Sequence, residues 1–272
     1  ILCYGVRHSF SAFFHSILNE FGWGRGDTAL MLSLHLLSYG IFAPIIGTLT
    51  DRWKPKRVML AGVIIVGTTA ALCSLGSALW HFYLLFGVLT PIGLACCGSP
   101  VMNPTIANWF TDRRGLALGL AQMGGGLSFV YVIAVEYTIE LFNWRFAYVL
   151  MGAAVVCILI PLIAAFYYFH PSQKGVSAFR ASSNQERSPN RPRHRQSERP
   201  EWTLRQALSS YRLWLLVVSK MCFWGSGCYL VLAHQIKFAI DMGYTGMLAT
   251  SVFAMFGITT VVGQVSSAVS DI

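Results

Sequence analysis

Long apolar stretches without charge are the feature that most limits how this chain can fold. No charged residue occurs in Val58–Leu79, Phe82–Phe110 or Gly115–Val135. A helix needs about 20 apolar residues to cross the hydrocarbon core of a bilayer. Buried helices of a soluble protein with such stretches would need equally long apolar partners on every side. The stretches therefore predict membrane-spanning helices.

The composition supports the same interpretation. Charged residues make up 11% of the chain and hydrophobic residues 55%, whereas a soluble domain carries about 25% charged residues. The cysteines lie within apolar stretches and form no CxxC pair, so they indicate neither a disulfide framework nor a zinc site. We expect no metal and no cofactor.

The pattern predicts an all-α membrane protein with eight helices, at about residues 1–19, 29–50, 58–78, 82–110, 114–138, 145–169, 211–240 and 247–270. Residues 1–170 are expected to form a six-helix bundle, and residues 211–272 the first two helices of a second bundle. Residues 171–210 are rich in Ser, Pro and Arg, so we expect a disordered linker that ends in a short amphipathic helix at 201–212. We interpret the chain as a fragment, since it begins at Ile1 inside an apolar helix.

Basic residues predict the orientation in the membrane. They cluster in loop 51–57, in loop 111–114 and between Lys174 and Arg212, whereas the opposite connectors hold only Arg25 and Arg145. Lys and Arg accumulate on the cytoplasmic side, so the linker should be cytoplasmic. An Arg-rich linker could also bind nucleic acid, but anionic lipid explains it more simply. We therefore expect the lipid bilayer, and no nucleic acid, as a partner.

An internal repeat relates the second and eighth helices. Phe21-Gly22-Trp23 precedes an apolar helix that ends at Asp51, and Met242-Gly243-Tyr244 precedes one that ends at Asp271. Each passage has Gly next to an aromatic residue at one end and Asp at the other, at nearly the same spacing. Parallel repeats of this kind are typical of transporters built from two related halves.

Two loop patterns carry a family resemblance. The first is Gly47-x-x-x-Asp51-Arg52-x-x-x-Lys56-Arg57, and the second is Trp109-Phe110-x-x-Arg113-Arg114-Gly115-Leu116-Ala117-Leu118-Gly119. With these patterns the chain resembles the major facilitator superfamily. The second pattern, with Asn143-Trp144-Arg145, Trp214 and His234, is similar to the branch of monocarboxylate transporters and oxalate/formate-type antiporters.

The first loop pattern departs from the family at Lys54 and Pro55, where Gly and Arg are usual. In the fourth helix Leu89 stands where many proton-coupled drug exporters carry Arg, which weakens a drug-antiport interpretation. Asp51 lies at the carboxyl end of a helix, where a carboxylate opposes the helix dipole. We expect it to pair with Arg52, Arg113 or a helix N-terminus, and Gly47 to permit close helix approach. The predicted gating residues are Gly47, Asp51, Arg52, Lys56, Arg57, Arg113, Arg114 and Asp271.

Polar residues inside apolar helices are the substrate-site candidates, because a charge at the bilayer centre costs about 2.5–3.5 kcal/mol. In the first helix Arg7, Ser11 and His15 share one face. The family resemblance implies that a basic residue on this helix binds the substrate carboxylate, and either Arg7 or His8 matches. Lys220 and His234 share a face of the seventh helix, and we expect Lys220 to be buried. The full candidate set is Arg7, His8, His35, Tyr39, Gln122, Lys220, His234 and Gln235.

The leading interpretation is a secondary transporter for a small organic anion that works by alternating access, with proton symport or anion exchange. Export of a neutral or cationic compound and a non-transporting sensor on the same scaffold are the alternatives. An enzyme is disfavoured, because the sequence has no HExxH, no GxSxG and no paired intramembrane Asp. We expect a monomer in a cell membrane, namely the bacterial cytoplasmic membrane. A proton is a possible coupling ion.

Overall fold

The computed structural model describes residues 1–110, 113–175 and 204–269, and these ranges are almost entirely helical. Seven of their helices are long and apolar enough to cross a membrane. They comprise Arg25–Arg52, Pro55–Cys73, Leu79–Trp109, Arg114–Leu141, Trp144–Phe166, Tyr211–Asp241 and Gly246–Ser266, the last being part of a helix that continues to Val269. The all-α membrane fold is therefore confirmed in the described ranges, and these helices are named below as the second to eighth.

The first helix is not the single element that we predicted. It consists of Leu2–His8 and Phe10–Phe21, which are joined at Ser9. The Ser9 backbone keeps helical φ but has ψ of −8°, so the regular turn is interrupted for one residue although its N–H still bonds to Gly5 O at 2.8 Å. Arg7 and Ser11, on either side of Ser9, are both buried, and His15 is half-buried.

The fourth helix begins at Leu79 rather than at 82 and is irregular. Its parts are Leu79–Phe82, a π-helical segment Tyr83–Leu89, Thr90–Cys97 and Ser99–Trp109. Hydrophobicity predicted one uniform helix because the apolar pattern continues across all four parts. Proline accounts for part of the irregularity, since a proline in a helix cannot donate a backbone hydrogen bond.

The chain divides into two compact units, residues 1–180 with 233–272, and residues 181–232. In the second unit, the described helices are Leu204–Ser209, Tyr211–Lys220 and the π-helical segment Met221–Tyr229. The seventh helix then continues as Leu230–Asp241. Most of the predicted linker, at 176–203, lies outside the described residues, and the division into two bundles stays a prediction.

Glycine pairs set the close packing of the first unit. A Cβ on Gly62 would lie 2.7 Å from the carbonyl oxygen of Gly93, and a Cβ on Gly67 would lie 2.9 Å from that of Gly152. The third helix therefore touches the fourth and the sixth helices through backbone atoms. Small residues at such crossings are typical of membrane helix pairs, which associate through close van der Waals contact.

The described residues of the basic loops 51–57 and 111–114, together with Lys174, lie at one end of the first unit, which we call the basic end. There Lys56 Nζ donates to Ala164 O at 2.6 Å, and Trp109 Nε1 donates to Tyr168 O at 2.8 Å. The ammonium groups of Lys56 and Lys174 both lie within 6 Å of the Tyr168 ring centroid, at 5.5 and 5.6 Å. The ends of the third, fourth and sixth helices therefore meet here.

The other end, called the opposite end, holds Glu20, Arg25, Trp144 and Asp241. The Glu20 carboxylate accepts hydrogen bonds from Trp144 Nε1 and from Arg145. Arg25 pairs with Asp241 at 3.0 Å. The two repeat glycines, Gly22 and Gly243, also lie at this end, and both have positive φ, of 64° and 91°. The repeat seen in the sequence therefore has the same turn conformation before the second and the eighth helices.

Candidate functional site

Arg7 is a buried cation of the first unit. Its residue surface is only 5% exposed, although it lies on a short helix that ends at His8. Its Nε donates a hydrogen bond to His35 Nε2 at 3.0 Å. The guanidinium carbon lies 4.3 Å from the Tyr39 ring centroid and 5.6 Å from that of Tyr4. The first and second helices thus hold the Arg7 side chain together.

The charge of Arg7 is not neutralised within the described residues. No carboxylate there lies within ion-pair distance of it, and its Nη2 is buried without a hydrogen-bond partner. Removing a cation from water costs several kcal/mol unless a charge partner compensates it. Cation–π contacts with tyrosine offset only part of that cost. The site is therefore electrostatically suited to an anion.

His8 follows Arg7 directly but contacts a different helix, the fifth. Its Nδ1 lies 2.7 Å from Ser128 Oγ, and its ring stacks on Phe129 at 3.9 Å. Ser128 Oγ itself donates to Gly125 O, so it accepts from His8 Nδ1–H. Successive residues on a helix point about 100° apart, which is why Arg7 faces the second helix and His8 the fifth. The sequence left the choice between them open, and only Arg7 has an uncompensated charge.

His35 and Tyr39 lie one turn apart on the second helix. His35 is fully buried, and its Nδ1 lies 2.8 Å from the backbone carbonyl of Phe86. The Tyr39 hydroxyl is 3.5 Å from that of Tyr4, which in turn is 3.2 Å from Ser99 Oγ. The structure therefore brings three predicted residues, Arg7, His35 and Tyr39, into one polar cluster.

A cavity of about 240 Å³ lies beside this cluster. Tyr4, Ser99, Asn103 and Gln122 line it together with apolar residues of the third and sixth helices, and Gln122 Nε2 donates to Asn103 Oδ1 at 3.3 Å. Pockets for drug-sized ligands are about 300–1,000 Å³, so this cavity suits a smaller solute. Tyr4 belongs both to the cavity wall and to the surroundings of Arg7.

The seventh-helix candidates are not part of this cluster. Lys220 belongs to the unit of residues 181–232 and is exposed there. Its helical segment Tyr211–Lys220 contains no residue that is buried within the protein, and the predicted depth of Lys220 in the bilayer stays a prediction. His234 is exposed, with its ring edge-on to Phe14 at 6.1 Å, and Gln235 is half-buried. Their role in binding substrate stays a prediction.

The predicted gating residues are at the basic end and lack the expected pairing. Asp51 is exposed and forms no ion pair with another described residue. A Cβ on Gly47 would meet nothing within 4 Å, so the expected close approach is absent from the described residues. Asp271 lies outside them.

The cations of the gating set have surface environments. Arg52 and Arg57, with Lys54, lie around an apolar groove of about 580 Å³. Arg113 has a left-handed backbone at φ 55°, and Arg114 Nε donates to Phe110 O at 3.1 Å. These contacts are local, so they do not show a gate.

Sequence reasoning missed Tyr4, Ser99 and Asn103. Tyr4 could have been found, because it precedes Arg7 by three residues and helical neighbours at that spacing share a face. Ser99 and Asn103 lie after the break at Gly98 in the fourth helix. Apolar periodicity carries no signal for such a break.

Comparisons with known proteins agree with the fold. The family model described as Major Facilitator Superfamily matches residues 1–272. The chain is 30% identical to "Monocarboxylate transporter 11" of Homo sapiens over 169 residues. This match covers 60% of this chain and 36% of that protein. It is 24% identical to "Monocarboxylate transporter 12" of Homo sapiens, over 96% of this chain and 52% of that protein. It is also 23% identical to "Monocarboxylate transporter 13" of Rattus norvegicus, over 98% of this chain and 57% of that protein. The chain thus spans about half the length of the relatives that it matches from end to end.

Proposed function

The chain belongs to the major facilitator superfamily, and from this premise we propose that it is part of a secondary transporter for a small monocarboxylate-like anion. The observation that carries the proposal is the uncompensated charge of Arg7 near a small cavity whose lining includes a few polar side chains. A guanidinium group binds a carboxylate through two parallel hydrogen bonds. The names of the relatives, which are monocarboxylate transporters, support the same substrate class.

Arg7 is almost fully buried, so this conformation is one in which a bound anion would be enclosed. Tyr4 lines the cavity, and its ring centroid lies 5.6 Å from the guanidinium carbon of Arg7. We infer that the substrate enters the cavity and reaches Arg7 when Tyr4 moves aside. A site that opens to one side at a time is the general requirement of alternating access.

The proposed orientation places the basic end in the cytoplasm and the opposite end outside, in agreement with the positive-inside tendency. In this orientation Asp51, Arg52 and Arg113 lie at the cytoplasmic entrance, and we propose that Asp51 finds its partner when that entrance closes. Labelling of Lys54→Cys with a membrane-impermeant maleimide checks the orientation. Labelling of this cysteine by reagent added outside intact cells would mean that the proposed orientation is reversed. A cell membrane is the proposed location, and the bacterial assignment stays a prediction.

Uptake of radiolabelled lactate, formate or oxalate by the full-length protein in proteoliposomes tests the substrate class. We expect saturable uptake of at least one of these anions. Arg7→Leu should reduce it more than tenfold, because the loss of a charge-assisted bidentate contact costs about 1.5–3 kcal/mol or more. Arg7→Lys should restore part of it, since an ammonium group supplies charge without the planar pair of donors.

Lys174→Leu is the matched control, because it removes an exposed cation at the basic end. Its uptake should equal that of the unmodified protein. Saturable transport of a neutral amide analogue in preference to the anion, unchanged in Arg7→Leu, would instead support an exporter of neutral compounds. Absence of saturable uptake of any solute would favour the non-transporting sensor.

Proton symport and anion exchange are distinguished by two driving forces applied to the same proteoliposomes. Symport predicts that an imposed inward proton gradient accelerates uptake and that a protonophore abolishes the acceleration. Exchange predicts that preloading with unlabelled anion accelerates uptake without any gradient. Size-exclusion chromatography with light scattering checks the proposed monomer.

A further inference from the structure

The hydrogen bonds of His35 determine its tautomer. Arg7 Nε can only donate, so His35 Nε2 must accept from it at 3.0 Å. The Phe86 carbonyl can only accept, so His35 Nδ1 must carry the proton that it donates at 2.8 Å. Both bonds are satisfied together only by a neutral ring that is protonated on Nδ1. His35 is 0% exposed, so water does not compete for either bond.

The Phe86 carbonyl is available to His35 because of the irregular fourth helix. In an α-helix it would accept from the N–H of Thr90, but that N–H bonds to Leu85 O instead. In a π-helix the donor would be residue 91, five positions on, and Pro91 has no N–H. Neither regular pattern can therefore satisfy this carbonyl, and a buried carbonyl without a partner costs free energy. The His35 ring supplies the partner.

The second helix approaches the π-helical segment closely enough for this contact. A Cβ on Gly87 would lie 2.9 Å from the Leu34 side chain, so this side chain of the second helix packs directly against the backbone at Gly87. The His35 and Phe86 rings are 4.6 Å apart, which restricts rotation of the imidazole. The position of Nε2 is thus fixed from two sides.

We propose that Pro91, the Phe86 carbonyl and His35 form a positioning relay that orients the Arg7 guanidinium for the substrate carboxylate. The relay rests on the proposed function of Arg7, and it assigns His35 a different role from the substrate ligand that the sequence suggested. His35 Nε2 accepts the hydrogen bond of Arg7 Nε, which leaves the Nη groups of Arg7 to face an anion. Tyr39 supports the guanidinium on its face, at 4.3 Å from the ring centroid.

The relay has a spectroscopic signature that does not depend on transport. Nitrogen-15 NMR of histidine-labelled protein in lipid distinguishes a ring protonated on Nδ1 from one protonated on Nε2. The signal that His35→Gln removes should show protonation on Nδ1. Observation of the Nε2 tautomer or of a doubly protonated ring for that signal would overturn the relay even in a protein that transports nothing.

Side-chain replacement separates positioning from a merely structural role. The Gln oxygen can reach the place of Nε2, so His35→Gln should keep the KM for the anion within about threefold. The Asn amide can only replace Nδ1, so His35→Asn should raise the KM about tenfold, as His35→Leu should, with a smaller change in kcat. Equal KM values for the Gln and Asn variants would contradict the relay, while a loss of transport in Arg7→Leu would still support the site.

Pro91→Ala tests the origin of the relay. It restores an N–H that can bond to Phe86 O in the π-helical pattern and so compete with His35. We expect a KM increase of about threefold and a weaker Nδ1–H signature for His35. Pro161→Ala is the control, because Pro161 also lies inside a helix, the sixth, and does not contact the relay. A Pro91→Ala protein with unchanged KM and unchanged His35 spectrum would show that proline does not keep the carbonyl available.

Discussion

The two ends of the first unit are held together in different ways. All three ion pairs among the described residues are at the opposite end. At the basic end the described contacts are hydrogen bonds to backbone carbonyls and cation–π contacts around Tyr168. The basic end has many cations, but its one carboxylate in the gating loop, Asp51, forms no ion pair within these residues.

The difference concerns which helices are joined. The pair Arg25–Asp241 links the second helix to the seventh, so it connects the first six helices to the first helix of the predicted second half. The contacts of Lys56 and Trp109 connect only members of the first six. The opposite end therefore ties the two predicted halves together, and the described contacts of the basic end do not.

Between the ends, the fifth and eighth helices cross at Gly126 and Gly257. A Cβ on Gly126 would lie 3.0 Å from the carbonyl oxygen of Gly257, and a Cβ on Gly257 would overlap that of Gly126. Gly257→Leu should have the largest effect, because the helices must separate to admit the side chain. We expect uptake to fall more than tenfold while the protein still inserts into the membrane.

Gly263→Leu is the matched control on the same helix, since nothing lies within 4 Å of a Cβ there. Its uptake should remain close to that of the unmodified protein. If both variants retained uptake, transport would not depend on the close approach of the fifth and eighth helices at Gly257.

Asp241→Asn should have an intermediate effect, because it weakens the link between the second and seventh helices. Exposed ion pairs contribute about 0–1 kcal/mol, and 1 kcal/mol changes an equilibrium about fivefold. The buried residue Ile236 reports the opening. In a protein without its native cysteines, Ile236→Cys should react up to about fivefold faster with an impermeant maleimide when Asp241 is replaced.

Lys237→Met provides the comparison, since Lys237 pairs with Asp241 within one helix, at 2.8 Å, and leaves the Arg25 pair in place. It should accelerate labelling less than Asp241→Asn does. An equal acceleration in both variants would mean that the helix end, rather than the link between helices, controls access. High salt should reduce the difference between the parent and Asp241→Asn.

The sequence predicted the coarse fold because bilayer insertion imposes long apolar stretches, and it predicted the site partly because buried charges are rare in them. It placed Arg7, His35 and Tyr39 in the candidate set. It could not separate Arg7 from His8, since that choice depends on which helices surround the first one. It also missed the bend at Ser9 and the π-helical segment at Tyr83–Leu89, because neither changes the apolar pattern.

Lys220 shows a second limit of the sequence. Its distance from Arg212 predicts depth in the bilayer, but contact with other helices depends on their packing, and the segment Tyr211–Lys220 has no residue buried within the protein. The pairing of Asp51 was likewise inferred from the helix dipole alone. A favourable partner explains why a residue type could occur at a position, but it does not show that the partner is present in one conformation.

The smallest effect should come from the basic end, where Lys56→Met removes the hydrogen bond to Ala164 O and the contact with the Tyr168 ring. These contacts lie within the first six helices, so the change should lower stability rather than alter opening. We expect a loss of about 0.5–1 kcal/mol and a fall of about 2 °C in the Tm of the detergent-solubilised protein. Lys54→Met is the control, because Lys54 is exposed and has neither contact. A change in Ile236→Cys labelling, as large as that of Asp241→Asn, would show that the basic end also ties the two halves and would remove the difference between the ends.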